Sequence, residues 1–318
     1  MTDQYAVFGN PIAHSKSPRI HALFAEQTGE DIEYTKQLVE LGQFASEAKK
    51  FFDKGGKGLN ITVPFKLDAY AFSEKNGSVS ERAKLAGAVN TLKKLPDGKI
   101  LGDNTDGAGL VRDITQNLGW KIKDRRILIL GAGGAVRGVL GPLLEQKPKS
   151  ITIRNRTREK ADELKTFFFD KKIEIYVWTD GDPSNPPPEL EYDLFINGTS
   201  AGFLDDNEEW FSNLSIWFAK KSKEFYAYDM MYGKERSDFL RFAEFEILHH
   251  FNWLIRPLPT PLQKFIYIIL RFFARNKIKA HLADGLGMLV EQAAESFNIW
   301  RDVKPETKPV IEKVRSEL

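Results

Sequence analysis

Apolar residues along this chain alternate between two textures. Short unbroken runs suit strands buried on both faces, and longer stretches carry apolar positions at helical spacing. The first run, Tyr5-Ala6-Val7-Phe8-Gly9, ends in the turn Asn10-Pro11-Ile12. A helix is predicted from Ser17-Pro18 to about Thr28-Gly29, since serine caps and proline fits the first helical position. A strand over 32–38 and a helix over about 43–54 follow, and then a strand over 58–64 that Pro64 stops before Phe65-Lys66 and a short helix. Strand-like segments at 88–92 and 100–102 flank Pro96-Asp97-Gly98, a hairpin turn signal. Asp103-Asn104-Thr105-Asp106-Gly107 then caps a helix running to about Gly119.

The middle of the chain repeats the alternation. Arg126-Ile127-Leu128-Ile129-Leu130 runs into Gly131-Ala132-Gly133-Gly134-Ala135 and a helical pattern. Gly131 would make a tight turn, while Gly133 and Gly134 would let the backbone approach a ligand. The helix that follows aims unpaired N–H groups and its positive dipole end at that ligand, which favours a phosphate. Taken alone, this pattern is also compatible with a purely structural strand-turn-helix. The next strand, 150–154, leads into Asn155-Arg156-Thr157-Arg158. NAD-binding units place an acidic residue there for the ribose 2′-hydroxyl; an arginine pair suits a 2′-phosphate instead, so the loop reads as an NADP(H) site. A helix at about 158–170, strands at 173–177, 193–196 and 225–230, and a Pro-rich loop around 183–188 complete this part.

Composition changes the picture little. The 318 residues suffice for two domains, and 42% apolar with 28% charged residues is ordinary for a soluble globular protein. A formal charge of +2 gives no basic surface for nucleic acid. The lack of cysteine excludes disulfides, thiolate metal sites and a cysteine nucleophile, and suits a cytoplasmic location. The chain enters strand-like sequence directly after Met1-Thr2-Asp3-Gln4, so no signal peptide is expected. The five histidines show no metal-ligand spacing and read as structural or surface residues; no metal site is expected.

Several residues admit a plain and a chemical reading. Ser15 and Ser17 belong to a loop and a helix cap, or aim hydroxyls at an anion near a helix N-terminus. Lys66 sits just past the carboxyl end of a strand, where open α/β sheets place ligand-contacting groups. Asp106 reads first as a helix N-cap. Gly285 and Gln292 are seven residues apart, so they share a face of the last long helical stretch, whose apolar stripe is Leu286, Val290, Ala293, Ala294 and Phe297.

Together these segments carry a resemblance. Asn10-Pro-Ile-Ala-His-Ser-Lys-Ser-Pro18, Asn60-Ile-Thr-Val-Pro-Phe-Lys66, Gly87-Ala-Val-Asn-Thr91 and Gly102-Asp-Asn-Thr-Asp-Gly107 resemble the signature segments of shikimate dehydrogenases. The glycine loop, Asn155-Arg156-Thr157, Asn197-Gly198-Thr199-Ser200 and Ala283-Asp-Gly-Leu-Gly-Met288 match in the same order. The resemblance covers roughly 1–243 and 281–318. It implies two α/β domains with a cleft between them: a discontinuous substrate domain, 1–105 plus 286–318, and a Rossmann-type doubly wound parallel sheet over 106–285. It also implies NADPH-dependent reversible reduction of 3-dehydroshikimate to shikimate, in the pathway to chorismate and aromatic amino acids. A ketone accepting hydride becomes an alkoxide, so a proton donor must stand beside its oxygen. Lys66 can supply the proton, and Asp106 can orient and pair with it.

By the same resemblance Ser15 and Ser17 would hold the substrate carboxylate. Thr62, Asn90 and Gln292 would hold ring hydroxyls, with Tyr232 nearby. Gly131, Ala132, Gly133, Gly134 and Ala135 would cradle the pyrophosphate. Asn155, Arg156 and Thr157 would select the 2′-phosphate, flanked by Arg158, Glu159 and Lys160. Met230 and Gly285 would pack near the nicotinamide, with Glu81 a weaker cofactor contact. Partners are a small-molecule substrate, with neither nucleic acid nor membrane, and a homodimer is left open. The stretch at about 245–278 departs from the family: Pro257-Leu-Pro-Thr-Pro261 separates two aromatic, basic runs. Phe265-Ile-Tyr-Ile-Ile-Leu-Arg-Phe-Phe273 is too short to cross a bilayer, which needs ~20 apolar residues. It reads as an insertion tolerated at the surface, with a membrane-surface helix or a partner-binding hairpin as other readings. Two other functions stay open: a relative acting on quinate, with NAD, and a sensor that binds NADPH or shikimate without turnover.

Overall fold

The computed structural model describes residues 2–168, 175–178, 192–199, 224–249 and 279–318. The chain divides into two compact units. The first comprises Met1–Trp120, Arg137–Glu145 and Leu286–Leu318; the second comprises Lys121–Val136 and Gln146–Gly285.

The first unit begins β1 (Asp3–Gly9), α1 (Ser17–Thr28), β2 (Ile32–Leu38), α2 (Phe44–Asp53), β3 (Gly58–Ile61) and α3 (Lys66–Asn76). It continues with β4 (Gly77–Val79), α4 (Glu81–Ala86), β5 (Thr91–Lys94), β6 (Ile100–Asp103), α5 (Asp106–Arg112) and a π-helical turn, Asp113–Asn117. The sheet order is β2-β1-β3-β5-β6-β4. Helical crossovers make β2, β1 and β3 parallel, whereas the turn at Pro96-Asp97-Gly98 folds β5 back on β6, so β5 is antiparallel to both neighbours. Phe8, Phe44, Phe52, Leu59, Phe65, Val89 and Leu92 lie in the core on this sheet. The C-terminal helices α9 (Leu286–Arg301) and α10 (Lys308–Ser316) return to this unit; α6, α7 and α8, whose ranges follow, precede them in the chain.

Two helix starts differ from expectation. Lys16, not Ser17, holds the cap position of α1 and makes no side-chain cap bond. Ser17 is already helical, and its N–H donates to Ser15 Oγ at 3.3 Å. Likewise Thr105 precedes α5, while Asp106 is its first helical residue and uses its carboxylate elsewhere. Helix α5 also stops at Arg112 instead of running to Gly119. It packs within the first unit, not with the nucleotide-binding part to which the sequence assigns it. The cause is close packing on α9: a Cβ at Gly109 would lie 2.8 Å from the backbone nitrogen of Gln292 and the carbonyl of Met288.

The second unit contains β7 (Arg126–Leu130), the start of α6 (Gly134–Glu145), β8 (Ser150–Arg154), α7 (Arg158–Phe167) and β9 (Ile175–Trp178). β10 (Leu194–Asn197), β11 (Glu224–Asp229), α8 (Asp238–His249) and β12 (Lys279–Ala283) follow. All its strands are parallel, in the order β12-β11-β10-β7-β8-β9. Counted from β7, this is the 3-2-1-4-5-6 arrangement of doubly wound dinucleotide-binding sheets. Leu128, Leu130, Phe195, Ala227, Phe239 and Leu240 form core between sheet and helix. β12 is not expected from the sequence: Lys-Ala-His-Leu-Ala is short and carries no β-branched residue, and it pairs with β11. The Pro-rich loop at 183–188 and positions 250–278 of the insert lie outside the described residues. Among the described residues, no helix is long and apolar enough to cross a membrane.

Candidate active site

β3 ends at Ile61, and the chain turns sharply through Thr62-Val63-Pro64, with the Phe65 N–H bonded to the Thr62 carbonyl at 3.0 Å. Phe65 is buried and stacks on Phe44, which anchors the turn and fixes where α3 starts. Lys66 is therefore the first residue of α3, held at the carboxyl end of the sheet. Its Nζ donates to Asp106 Oδ2 at 2.6 Å. Asp106 is buried, and its other oxygen, Oδ1, accepts from Asn90 Nδ2 at 2.8 Å. The carboxylate is thus held from both sides by charge-assisted hydrogen bonds, among the stronger kinds in proteins.

Asn90 is itself fixed. Its Oδ1 accepts from the Thr105 N–H and from the Thr91 hydroxyl, both at 2.9 Å. Its Nδ2 also lies 3.3 Å from Gln292 Oε1, on α9. The structure therefore brings together Lys66, Asp106, Asn90 and Gln292. Ser15, Ser17 and Thr62 lie at the neighbouring strand ends. The Asn10 N–H bonds the Val63 carbonyl at 3.0 Å, joining the turn after β1 to the turn after β3. Gly9 is needed there, because a Cβ would meet Thr62 Cγ2 at 2.4 Å. Ser17 is buried, and burial raises the pKa of the Tyr34 phenol well above its ordinary value. Glu81 is exposed on α4 and pairs with Lys84 at 2.6 Å. Tyr232 belongs to the second unit, where burial raises its phenol pKa.

An ionic lattice beside the pair escapes the sequence reading. Arg82 grips Asp103 with two bonds, at 2.7 and 2.8 Å, and reaches Glu295 at 2.8 Å. Arg112 joins Glu295 at 2.9 Å and Glu291 at 3.4 Å. Burial works against the charge of Arg82, but Asp103 and Glu295 outweigh it and hold the guanidinium above its ordinary pKa. This lattice ties α4, β6, α5 and α9 together around the helix that carries Asp106. A sequence signal exists: Glu291 and Glu295 are like charges one helical turn apart, which is unfavourable unless cations sit against them.

In the second unit Gly131 has φ +100, and its N–H bonds the Arg154 carbonyl at 2.8 Å. No side chain fits there without strain. A Cβ at Gly133 or Gly134 would meet nothing within 4 Å, so the protein's own packing does not demand glycine at either position. Both are exposed, and α6 begins at Gly134 with its N–H groups toward that open space. This fits an anionic group laid across the loop. Ala132 is buried and Ala135 exposed. After β8, Asn155 Nδ2 bonds the Thr157 carbonyl at 2.7 Å and shapes the loop. Arg156, Thr157, Arg158, Glu159 and Lys160 are exposed, and Arg158 reaches Asp162 at 3.3 Å on its own helix. Met230 and Gly285 are brought together: a Cβ at Gly285 would lie 2.3 Å from the Met230 carbonyl oxygen. Beneath them Asp229 is buried, which raises its pKa, and it accepts from Asn197, Ser237 and the Met231 N–H.

Comparison with known proteins agrees with this geometry. Residues 7–92 match the shikimate dehydrogenase substrate binding domain, 112–181 the shikimate / quinate 5-dehydrogenase family, and 285–315 the shikimate 5'-dehydrogenase C-terminal domain. A shikimate dehydrogenase (NADP(+)) of Cellvibrio japonicus is 46% identical, covering 100% of this chain and 99% of the relative. One of Nitrosospira multiformis is likewise 46% identical, with the same coverage. The shikimate 5-dehydrogenase of Thermus thermophilus, solved with NADP(H) and shikimate, aligns with a TM-score of 0.74 at 26% identity over 100% of both chains. The chain belongs to the NADP-dependent shikimate dehydrogenase family.

Proposed function

We propose that Lys66 and Asp106 carry the proton work of a reversible, NADPH-linked reduction of 3-dehydroshikimate to shikimate. The observation that supports this most is the 2.6 Å Lys66–Asp106 contact, with the second carboxylate oxygen already committed to Asn90. NADPH, when bound, supplies the hydride. As the ketone oxygen gains negative charge, Lys66 gives it a proton; in the reverse direction Lys66 takes that proton back. Asp106 keeps the Lys66 Nζ aimed between turnovers.

In this reading the first unit binds substrate. Ser15 and Ser17 hold its carboxylate, while Thr62, Asn90 and Gln292 hold ring hydroxyls. The second unit binds NADP(H). Gly131, Ala132, Gly133, Gly134 and Ala135 take the pyrophosphate; Asn155, Arg156 and Thr157 take the 2′-phosphate, with Arg158, Glu159 and Lys160 around them. Met230 and Gly285 flank the nicotinamide, and Glu81 is a minor contact. The enzyme works in the cytoplasm on small molecules alone, without nucleic acid or membrane. A homodimer is its assembly if it associates at all, which sedimentation of the purified chain reads directly.

The test is a spectrophotometric assay of NADP⁺ reduction by shikimate and, in parallel, by quinate. Lys66→Ala lowers kcat by roughly 10²–10⁴ with little change in shikimate KM, the scale of a lost acid–base group. Unchanged turnover refutes the pair. The 46% identical relatives named shikimate dehydrogenase favour shikimate over quinate as the faster substrate.

A further inference from the structure

Behind Asp106 lies a buried line of polar side chains that the proposed chemistry leaves unused. Its far end is His21, fully buried, whose Nε2 lies 3.2 Å from Asn60 Oδ1. The Tyr34 hydroxyl donates to the same oxygen at 2.7 Å. Asn60 Nδ2 faces Thr91 Oγ1 at 3.2 Å, Ser296 Oγ at 3.0 Å and the Asn90 carbonyl at 3.3 Å. Thr91 Oγ1 lies 2.9 Å from Asn90 Oδ1, and Asn90 Nδ2 lies 2.8 Å from Asp106.

Elementary donor and acceptor chemistry fixes the direction of every link. Only an N–H can face the Asn90 carbonyl, so the Asn60 amide is oriented with Nδ2 there and Oδ1 toward His21 and Tyr34. Oδ1 accepts only, so both of those groups donate. Asn90 is oriented in the same way: Oδ1 must take the Thr105 N–H, and Nδ2 must face the carboxylate. The Thr91 hydroxyl then has to donate to Asn90 Oδ1, because at 2.9 Å two facing lone pairs would repel. Ser296 is a side branch: its Oγ lies 2.7 Å from Thr91 Oγ1 and 3.0 Å from the Gln292 carbonyl. Along the line itself, from Tyr34 through Asn60, Thr91 and Asn90, the hydrogens point toward Asp106. Chains of aligned hydrogen bonds polarise one another, and a negative charge at the accepting end completes the alignment.

We propose that Tyr34, Asn60 and Thr91 are positioning residues for the reaction: through a one-way hydrogen-bond line they aim the Asn90 amide at Asp106. The proposal rests on the Lys66–Asp106 reading. The residues are not catalytic, because they act through Asn90. Their row is built into the sheet. Asn60 pairs in register with Thr91 across β3 and β5, so the two polar side chains meet wherever the strands pair correctly.

Thr91→Val keeps the shape and removes the shorter of the two hydroxyl donors to Asn90 Oδ1, Thr91 at 2.9 Å against Thr105 at 3.2 Å; Thr91→Ser restores the donor. The expected result for Thr91→Val is a kcat about tenfold lower with NADP⁺ KM unchanged, and Thr91→Ser returns kcat to within about twofold of wild type. Tyr34→Phe keeps the ring on His21 but removes the donor to Asn60 Oδ1, so it lowers kcat. Wild-type kcat in Thr91→Val overturns the proposal, as does equal impairment of Thr91→Val and Thr91→Ser, which would mean simple packing. Should Thr91→Val fail to fold, Tyr34→Phe decides: unchanged kcat refutes the line. Lys66→Ala, assayed beside them, separates the two readings. Loss of turnover there with none in Thr91→Val refutes the positioning line alone, while full turnover in Lys66→Ala refutes the pair beneath it.

Discussion

His21 should make this enzyme lose stability in mild acid, by an amount the structure sets. The imidazole is fully buried, stacked on Tyr34 at 4.2 Å and bordered by Phe24, Phe297 and Trp300. Burial pushes its pKa down to about 3 from an ordinary 6.5, and the bond to Asn60 opposes the shift only in part. The folded-state value lies below the unfolded one, so between these limits the unfolded chain binds a proton that the folded chain refuses. The contribution to stability is therefore intact above about pH 6.5 and drains away as pH falls toward 3. At 1.36 kcal/mol per unit, the drop from pH 7 to pH 5 is about 2 kcal/mol, and the limit at pH 3 is about 5 kcal/mol. Against a typical total of roughly 5–15 kcal/mol, that is a large fraction. His21→Phe keeps a ring in the stack and cannot take up the proton. It loses the donor to Asn60, a cost of about 1 kcal/mol that does not vary with pH. The two proteins should therefore cross: wild type is the more stable at pH 7, and His21→Phe at pH 5. Urea unfolding of both at pH 7, 6 and 5, with matched m-values, measures the difference. All other titrating groups are common to the pair and cancel. A constant gap across the range refutes the reasoning, because it would mean that His21 is protonated, or reaches water, in the folded state.

Two further outcomes follow from the geometry. Arg156→Ala should lower kcat/KM for NADPH roughly tenfold or more, the worth of a charge-assisted bond, and leave the rate with NADH unchanged; equal losses with both donors remove Arg156 from the 2′-phosphate. Gly109→Ala should cost about 1–3 kcal/mol and raise shikimate KM, because the new methyl would stand 2.8 Å from α9 backbone and spread the helices that carry Asp106 and Gln292; an unchanged Tm refutes so tight a seam.

The parts of this protein that are legible in its sequence are those where a residue type is at odds with its surroundings. A glycine cluster after an apolar run, a lysine after a strand and its proline, and arginines where an acid is usual each stand out locally. The fold class follows from alternation, and the β5–β6 hairpin from its turn. Helix starts are less legible. Ser17 and Asp106 both carry the signal of a cap, yet each sits one position inside its helix, which leaves the Asp106 carboxylate free to meet Lys66. A cap signal cannot distinguish these positions, because serine and aspartate are favoured at both. β12 escapes for another reason: it is short, carries no β-branched residue, and pairs with β11.

The polar interior of the first unit marks the boundary of what local patterning conveys. Half of it is derivable. A turn centred on Asp97 sets a hairpin register in which Thr91 faces Asp103, and the structure has that pairing. A reader holding the turn could place a buried threonine against a buried aspartate and ask what satisfies them. The other half is not derivable. Asn60 meets Thr91 only through the pairing of β3 with β5, and Ser296 and Gln292 come from the end of the chain to close the group. Such contacts leave no period in the sequence. They leave single polar residues in apolar strands, each of which reads as an anomaly until its partners are known. Unpaired, each would cost one to several kcal/mol by desolvation, so their presence in one row already implies a network. A buried asparagine in a four-residue strand whose every member is buried is therefore evidence about function, because the fold could have used an apolar residue there unless orientation of a neighbouring group depended on it.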